Sequence, residues 1–265
     1  MSIESIVNVF RKLHASKQVG VIPFITVGFP DIETTLELIP AAVNAGADII
    51  ELGIPFSDPL ADGTTIQKAS FKALQNHVTL KTCLEVCSKS RSSGIEAPIV
   101  LMGYYNQFLA YGVKEICRDA ARSGVNGFIV PDLPTEESKP LLVECEIEGL
   151  DLIPLLAPTS SDDRIQSACA QARGFIYCVS VTGVTGRRSE ISDQAEQLVA
   201  KVRSYTDLPV ALGFGISKPE HVKSIGRFSD AAIVGSALMD LLDTAPKNEK
   251  VDKVATFIRN LKNPI

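Results

Sequence analysis

Eight short apolar runs, each rich in β-branched or large apolar residues, constrain this chain more than any other feature of its sequence. They are Val21–Gly28, Ala47–Gly53, Pro98–Tyr104, Gly127–Leu133, Leu150–Pro158, Gly174–Ser180, Pro209–Gly215 and Ala231–Ser236. Apolar runs without polar alternation suit strands covered on both faces, as in parallel sheets. Helical spacing marks Ile32–Ala45, Val113–Ser123, Thr135–Glu148, Ser160–Ala172, Asp193–Tyr205 and Lys218–Ile225, and Asp, Ser or Thr stands ahead of several of them as an N-cap. Strand followed by helix, repeated along the whole chain, predicts an α/β fold of the (β/α)8 or TIM-barrel type. The amphipathic segment ahead of Val21 predicts an extra N-terminal helix. The long step from Gly53 to Pro98 predicts an extended loop after strand 2 with structure of its own. At 265 residues, with no Gly/Ser linker, the chain suits one barrel of roughly 250 residues and a single domain over 1–265. An open doubly wound sheet is the competing architecture, but no G-x-G-x-x-G motif accompanies the strands.

Charge and cysteine usage narrow the function classes. Lys and Arg number 26 against 31 Asp and Glu, a net charge of −5, so no global attraction to nucleic acid or anionic membrane is expected. The opening segment MSIESIVNVFRKLHASK has neither an apolar core nor a cleavage site, and reads as neither a signal peptide nor a membrane span. A cytoplasmic protein is expected, or one of the plastid stroma if the source is a plant. Six cysteines form no CxxC pair, and Cys83 with Cys87 offers only two of the four ligands of a zinc site. They read as free buried thiols, and no metal site is expected.

Barrel enzymes carry their chemistry at the C-terminal ends of the strands. Those ends offer Thr26, Glu51, Tyr104 with Asn106, Asp132, and Tyr177 with Ser180, followed by Thr182, Gly183, Thr185 and Gly186. Gly213-Phe214-Gly215 and Gly235-Ser236 close the seventh and eighth strands, where barrels bind phosphate through backbone N–H groups. Taken singly, such glycines only permit tight turns. The histidines, His14, His77 and His221, lie at no strand end, and no lysine lies in any run. Metal-dependent and Schiff-base aldol chemistry are therefore disfavoured, leaving carboxylates and tyrosines for proton transfer. Glu51 closes an apolar run, and burying a carboxylate there costs free energy unless it serves a purpose. Its pKa is expected to rise. Asp58 and Asp62 sit in a Pro- and Asp-rich loop, where each on its own reads as a turn residue. Asp132 either faces the mouth or braces the second loop.

The segment Glu51–Gly63, ELGIPFSDPLADG, resembles the signature of the tryptophan synthase α-chain family. The likeness continues through PFITVGFP at Pro23–Pro30, VPDLPTEES at Val130–Ser138, GVTG at Gly183–Gly186, GFGIS at Gly213–Ser217 and GSAL at Gly235–Leu238. The resemblance implies cleavage of indole-3-glycerol phosphate to indole and glyceraldehyde 3-phosphate by the carboxylate pair Glu51 and Asp62, without metal. It implies an indole pocket of Phe24, Met102, Tyr104, Leu155 and Tyr177. Thr185 would bond Asp62 on loop closure, and Gly186, Gly215, Gly235 and Ser236 would cradle the phosphate. It further implies a β-chain partner in an αββα heterotetramer, met through Pro55, Asp58 and Asn106. No cofactor is implied in this chain, since the PLP belongs to the partner. Two departures stand out: Thr64, where many members of the family have Pro, and Arg187-Arg188 after GVTG. The alternatives are a stand-alone lyase that releases free indole, a sugar-phosphate isomerase or epimerase, and a silent regulatory subunit.

Overall fold

The computed structural model describes residues 3–179, 188–213 and 215–263. In chain order the strands are β1 (Gly20–Thr26), β2 (Ile50–Gly53), β3 (Ile99–Met102), β4 (Gly127–Ile129), β5 (Asp151–Ile153), β6 (Leu155–Leu156), β7 (Ile176–Val179), β8 (Val210–Gly213) and β9 (Ala231–Val234). The helices are α1 (Ile6–Ser16), α2 (Ile32–Asn44), α3 (Thr64–Gln75), α4 (Leu80–Ser92), α5 (Tyr105–Tyr111), α6 (Val113–Arg122), α7 (Lys139–Glu148), α8 (Asp162–Gln171), α9 (Arg188–Arg203), α10 (Pro219–Ile225), α11 (Ser236–Thr244) and α12 (Lys250–Lys262).

All strand pairs are parallel, in the order β5-β4-β3-β2-β1-β9-β8-β7-β6. The two ends of that order are consecutive in sequence, so the sheet closes on itself. The expected fifth strand is therefore a single stave in two pieces, and this corrects the reading of Leu150–Pro158 as one continuous run. Pro154 separates the pieces because it has no N–H to give to a ladder. Its carbonyl still accepts the Tyr177 N–H at 3.0 Å, which carries the closure across the break.

The alternation of each strand sends one set of side chains into the barrel and the other toward the helices. Ile22, Ile49, Val100, Ile129, Ile153, Phe175, Ala211, Ala231 and Ile233 form the inner cluster, and α1 joins it through Ile6, Val9, Phe10 and Leu13. The rings of Phe10 and Phe175 lie 5.7 Å apart, so the extra N-terminal helix plugs the end of the barrel opposite the strand C-termini. The outer set, including Val21, Ile25, Leu52, Leu101, Phe128, Cys178 and Leu212, packs beneath the helix ring.

Capping follows the sequence. Asp31 accepts the Thr34 N–H at 2.7 Å, and Ser161 caps α8. The long step after β2 holds two helices, α3 and α4, and α4 begins with a reciprocal Thr79–Thr82 capping box. Thr64 is the first residue of α3, and Gly63 before it is extended at φ −71° and ψ 163°. That backbone is the one a residue preceding proline adopts, and proline at the first helical position gives up an N–H that has no helical partner. Thr64→Pro is therefore expected to stabilise the fold by ~0.4–1 kcal/mol through the unfolded state. The check is the urea midpoint, and a lower midpoint would show that the threonine itself is needed there.

Candidate active site

Glu51 lies on the inner face of β2, two residues beyond Ile49 and level with Phe24 on β1 and Val100 on β3. Its side chain is buried, and neither carboxylate oxygen has a hydrogen-bond partner among the described residues. Burial pushes its carboxyl up to about 8, and the neighbouring Asp62 charge adds to the push. A carboxylate in this setting can both give and take a proton near neutrality. The Thr26 hydroxyl, at the C-terminal end of β1, is likewise buried without a partner among the described residues.

Asp62 comes from the loop between β2 and α3. Its N–H is bound to the Pro59 carbonyl at 3.0 Å, and its carbonyl accepts Gln67 Nε2 at 3.0 Å. Burial raises its carboxyl to about 6, against the lowering effect of the Tyr104 hydroxyl. Tyr177, on the inner face of β7, is buried, and its phenol is held far above the usual range by that burial and by the charges of Glu51 and Asp62. It stays a neutral hydroxyl beside the pair.

Two glycines make room for the aromatic walls. A Cβ on Gly53 would lie 2.4 Å from the Phe24 ring, and one on Gly213 would lie 2.9 Å from the ring and hydroxyl of Tyr177. A side chain at either position would have to displace these rings, a constraint invisible in a strand read singly. Phe24, Asp62, Met102 and Tyr104 share one narrow crevice, together with Ile66 and Ser70 of α3. Sequence reasoning missed those two, because only the packing of α3 brings them to the mouth. Leu155, half-buried on β6, pairs with Tyr177 in register.

Gly215, at φ 46°, follows β8, and Gly235 precedes α11, whose first residue is the exposed Ser236. The opening N–H groups of a helix have no intrahelical partner and favour an anion. Thr185 and Gly186, like Ser180, Thr182, Gly183, Arg187 and Phe214, lie outside the described residues.

Asp132 makes a contact that neither expected role named. Its Oδ1 accepts the Tyr105 N–H at 2.9 Å, so it braces the start of α5 after the third strand. Pro55 is buried, and its carbonyl accepts Gln107 Nε2 at 2.8 Å, whereas Asp58 and Asn106 are exposed. Beside them stand the exposed apolar side chains of Leu60 and Leu109, 93% and 54% exposed, which periodicity alone did not single out. No group of three or more potential metal ligands occurs among the described residues, and all six cysteines are free and buried. No helix among the described residues is long and apolar enough to cross a membrane.

A closed parallel barrel with a buried carboxylate, without a partner among the described residues, at the C-terminal end of its second strand is the frame of a TIM-barrel enzyme. The family model of the tryptophan synthase alpha chain matches residues 10–265. The tryptophan synthase alpha chain of Dehalococcoides mccartyi is 50% identical over 249 residues, covering 94% of this chain and 96% of that one. That of Chloroflexus aurantiacus is 46% identical over 260 residues, covering 98% of each. The solved structure of tryptophan synthase subunit alpha from Legionella pneumophila superposes with a TM-score of 0.89 at 32% identity, covering 97% of this chain and 96% of that one. The chain belongs to the tryptophan synthase alpha chain family, lyases that cleave indole-3-glycerol phosphate in tryptophan biosynthesis.

Proposed function

We propose that Glu51 and Asp62 carry the cleavage as an acid–base pair, with no metal or cofactor bound to this chain. The observation that carries this reading is the buried Glu51 carboxyl, without a partner among the described residues and raised to about 8, beside Asp62 raised to about 6. Protonated Glu51 delivers its proton to C3 of the indole ring, giving a cationic indolenine. Ionised Asp62 accepts the indole N–H and stabilises the positive charge that develops there. Glu51, now a carboxylate, takes the proton of the glycerol hydroxyl. The bond between C3 and the glycerol carbon then breaks, its electron pair restoring the indole ring while the hydroxyl carbon becomes the aldehyde.

Phe24, Met102, Tyr104, Leu155 and Tyr177 wall the indole. Gly215, Gly235 and Ser236 hold the phosphate at the opening of α11, with Gly186 as their expected companion and Thr185 as the expected partner of Asp62. Asp58, Asn106 and the carbonyl-anchored Pro55 belong to the face that meets a PLP-bearing β chain in an αββα assembly. The exposed Leu60 and Leu109 support that placement, since apolar side chains left in water favour a protein contact. Six free thiols fit the reducing cytoplasm.

The experiment is indole release from indole-3-glycerol phosphate by the purified chain, with and without a tryptophan synthase β chain. Weak turnover that rises ten-fold or more on adding the β chain, on the order of the 1–3 kcal/mol typical of coupled sites, is the expected result. Fast turnover indifferent to the β chain would identify a free-standing lyase instead.

A further inference from the structure

Tyr104 was expected as a polar strand-end residue and, from the family resemblance, as part of the indole wall. Its hydroxyl, however, accepts the Ala61 N–H at 3.0 Å, across 43 residues of sequence. We propose that Tyr104 is a positioning residue of the cleavage reaction: its hydroxyl clamps the loop after β2 at Ala61 and orients the Asp62 carboxylate, and Gln107 fixes Tyr104 in turn. The inference rests on the reading of Asp62 as a member of the catalytic pair.

The start of α5 grips the loop at three places. Tyr104 donates its N–H to Gln107 Oε1 at 3.1 Å, and Gln107 Nε2 donates to the Pro55 carbonyl at 2.8 Å. The Tyr104 ring stacks on Phe56 with centroids 5.0 Å apart and planes 24° from parallel. The hydroxyl then takes the Ala61 N–H. Residues on both flanks of the exposed loop tip are thus bound to one turn of helix, and Asp62 follows directly on the last of them.

A phenol has one proton and two lone pairs. With a lone pair committed to Ala61, the proton remains for the Asp62 carboxylate, the neighbour whose ionised form Tyr104 favours. The titratable groups that bear on Asp62 are Glu51 from β2, Tyr177 from β7 and Tyr104 itself, with Asp132 acting on Tyr104 from the loop after β4. None is a cation. Burial works against the Asp62 charge, and the Tyr104 hydroxyl offsets it.

The sign of the test follows. Removing the hydroxyl destabilises ionised Asp62, so its pKa rises and the acid limb of the rate profile moves to higher pH. The experiment is the pH profile of kcat for indole-3-glycerol phosphate cleavage by the whole chain, for Tyr104→Phe and Phe56→Leu. Tyr104→Phe keeps the ring and its stacking. It is expected to shift the acid limb up by about half a unit or more and to lower kcat at pH 7 by roughly ten-fold, with KM changed by less than about three-fold. Phe56→Leu removes the stacking but keeps the hydroxyl, and is expected to lower Tm while leaving the limb in place. An unshifted limb in a folded Tyr104→Phe variant overturns the proposal, and equal shifts in both variants overturn it in favour of packing alone. An Asp62→Asn variant that keeps the wild-type acid limb would overturn the assignment of Asp62 instead.

Discussion

Glu51→Gln is expected to stop indole formation and, at the same time, to make the folded protein more stable above neutrality. A positioned general acid contributes about 10²–10⁴-fold to a rate, and Glu51 serves twice in the proposed cycle, so a loss toward the upper end, about 10⁴-fold, is expected. The stability effect follows from linkage. The Glu51 carboxyl is raised from 4.5 to about 8 in the fold, so the folded state holds a proton there that the unfolded chain has already lost. The contribution of Glu51 to stability is then greatest below about pH 4.5 and falls as pH rises toward 8, where the buried charge is finally borne. Glutamine removes that titration. Its unpartnered amide costs about 1–3 kcal/mol, leaving a net gain at pH 8 on the order of 1–2 kcal/mol. Urea titrations at pH 5 and pH 8 check this: the wild type should lose stability between them and the variant should lose much less. A variant that still turns over, or that loses stability at pH 8, would show that Glu51 is not the buried acid described here.

Asp62→Asn is expected to lower kcat/KM by about 10²–10³-fold, the range for removing one electrostatic stabiliser of a developing charge. Its pH profile should be more telling than its rate. The wild-type pair needs Asp62 charged and Glu51 protonated together, so kcat/KM should be bell-shaped with apparent limbs near 6 and 8. Asparagine cannot ionise, so the acid limb should disappear. The Asp62 charge also helps to raise Glu51, so its loss should move the basic limb to lower pH. Both changes are read in a single set of steady-state profiles. A variant that keeps the acid limb would assign that limb to another group.

The two carboxylates differ in how far the sequence revealed them. Glu51 was legible by itself, because a carboxylate that closes an apolar strand run has few structural excuses. Asp62 was not: in a Pro- and Asp-rich loop it reads as a turn residue, and only the likeness of the whole Glu51–Gly63 segment to a family signature marked it. The glycines after the seventh and eighth strands stand out in the sequence as a pair, because barrels often carry a phosphate site at those ends. Gly53 and Gly213 were not, since their reason is an aromatic ring arriving from another strand. Asp132 was legible as a strand-end residue but not in its role, which depends on the N–H of Tyr105 lying within 2.9 Å.

The sequence by itself determined the barrel, its extra N-terminal helix, its insertion after the second strand and the position of Glu51. All of these follow from local periodicity and from where polar residues interrupt apolar runs, which the order of residues states directly. The tertiary structure decided the division of the fifth stave at Pro154, the lack of any partner for the Glu51 carboxylate among the described residues, and the bond from the Ala61 N–H to the Tyr104 hydroxyl. Each of these depends on groups distant along the chain meeting in space. Burial, unmet hydrogen bonds and raised pKa values belong to such meetings and not to any one segment, so they arise only when the barrel closes.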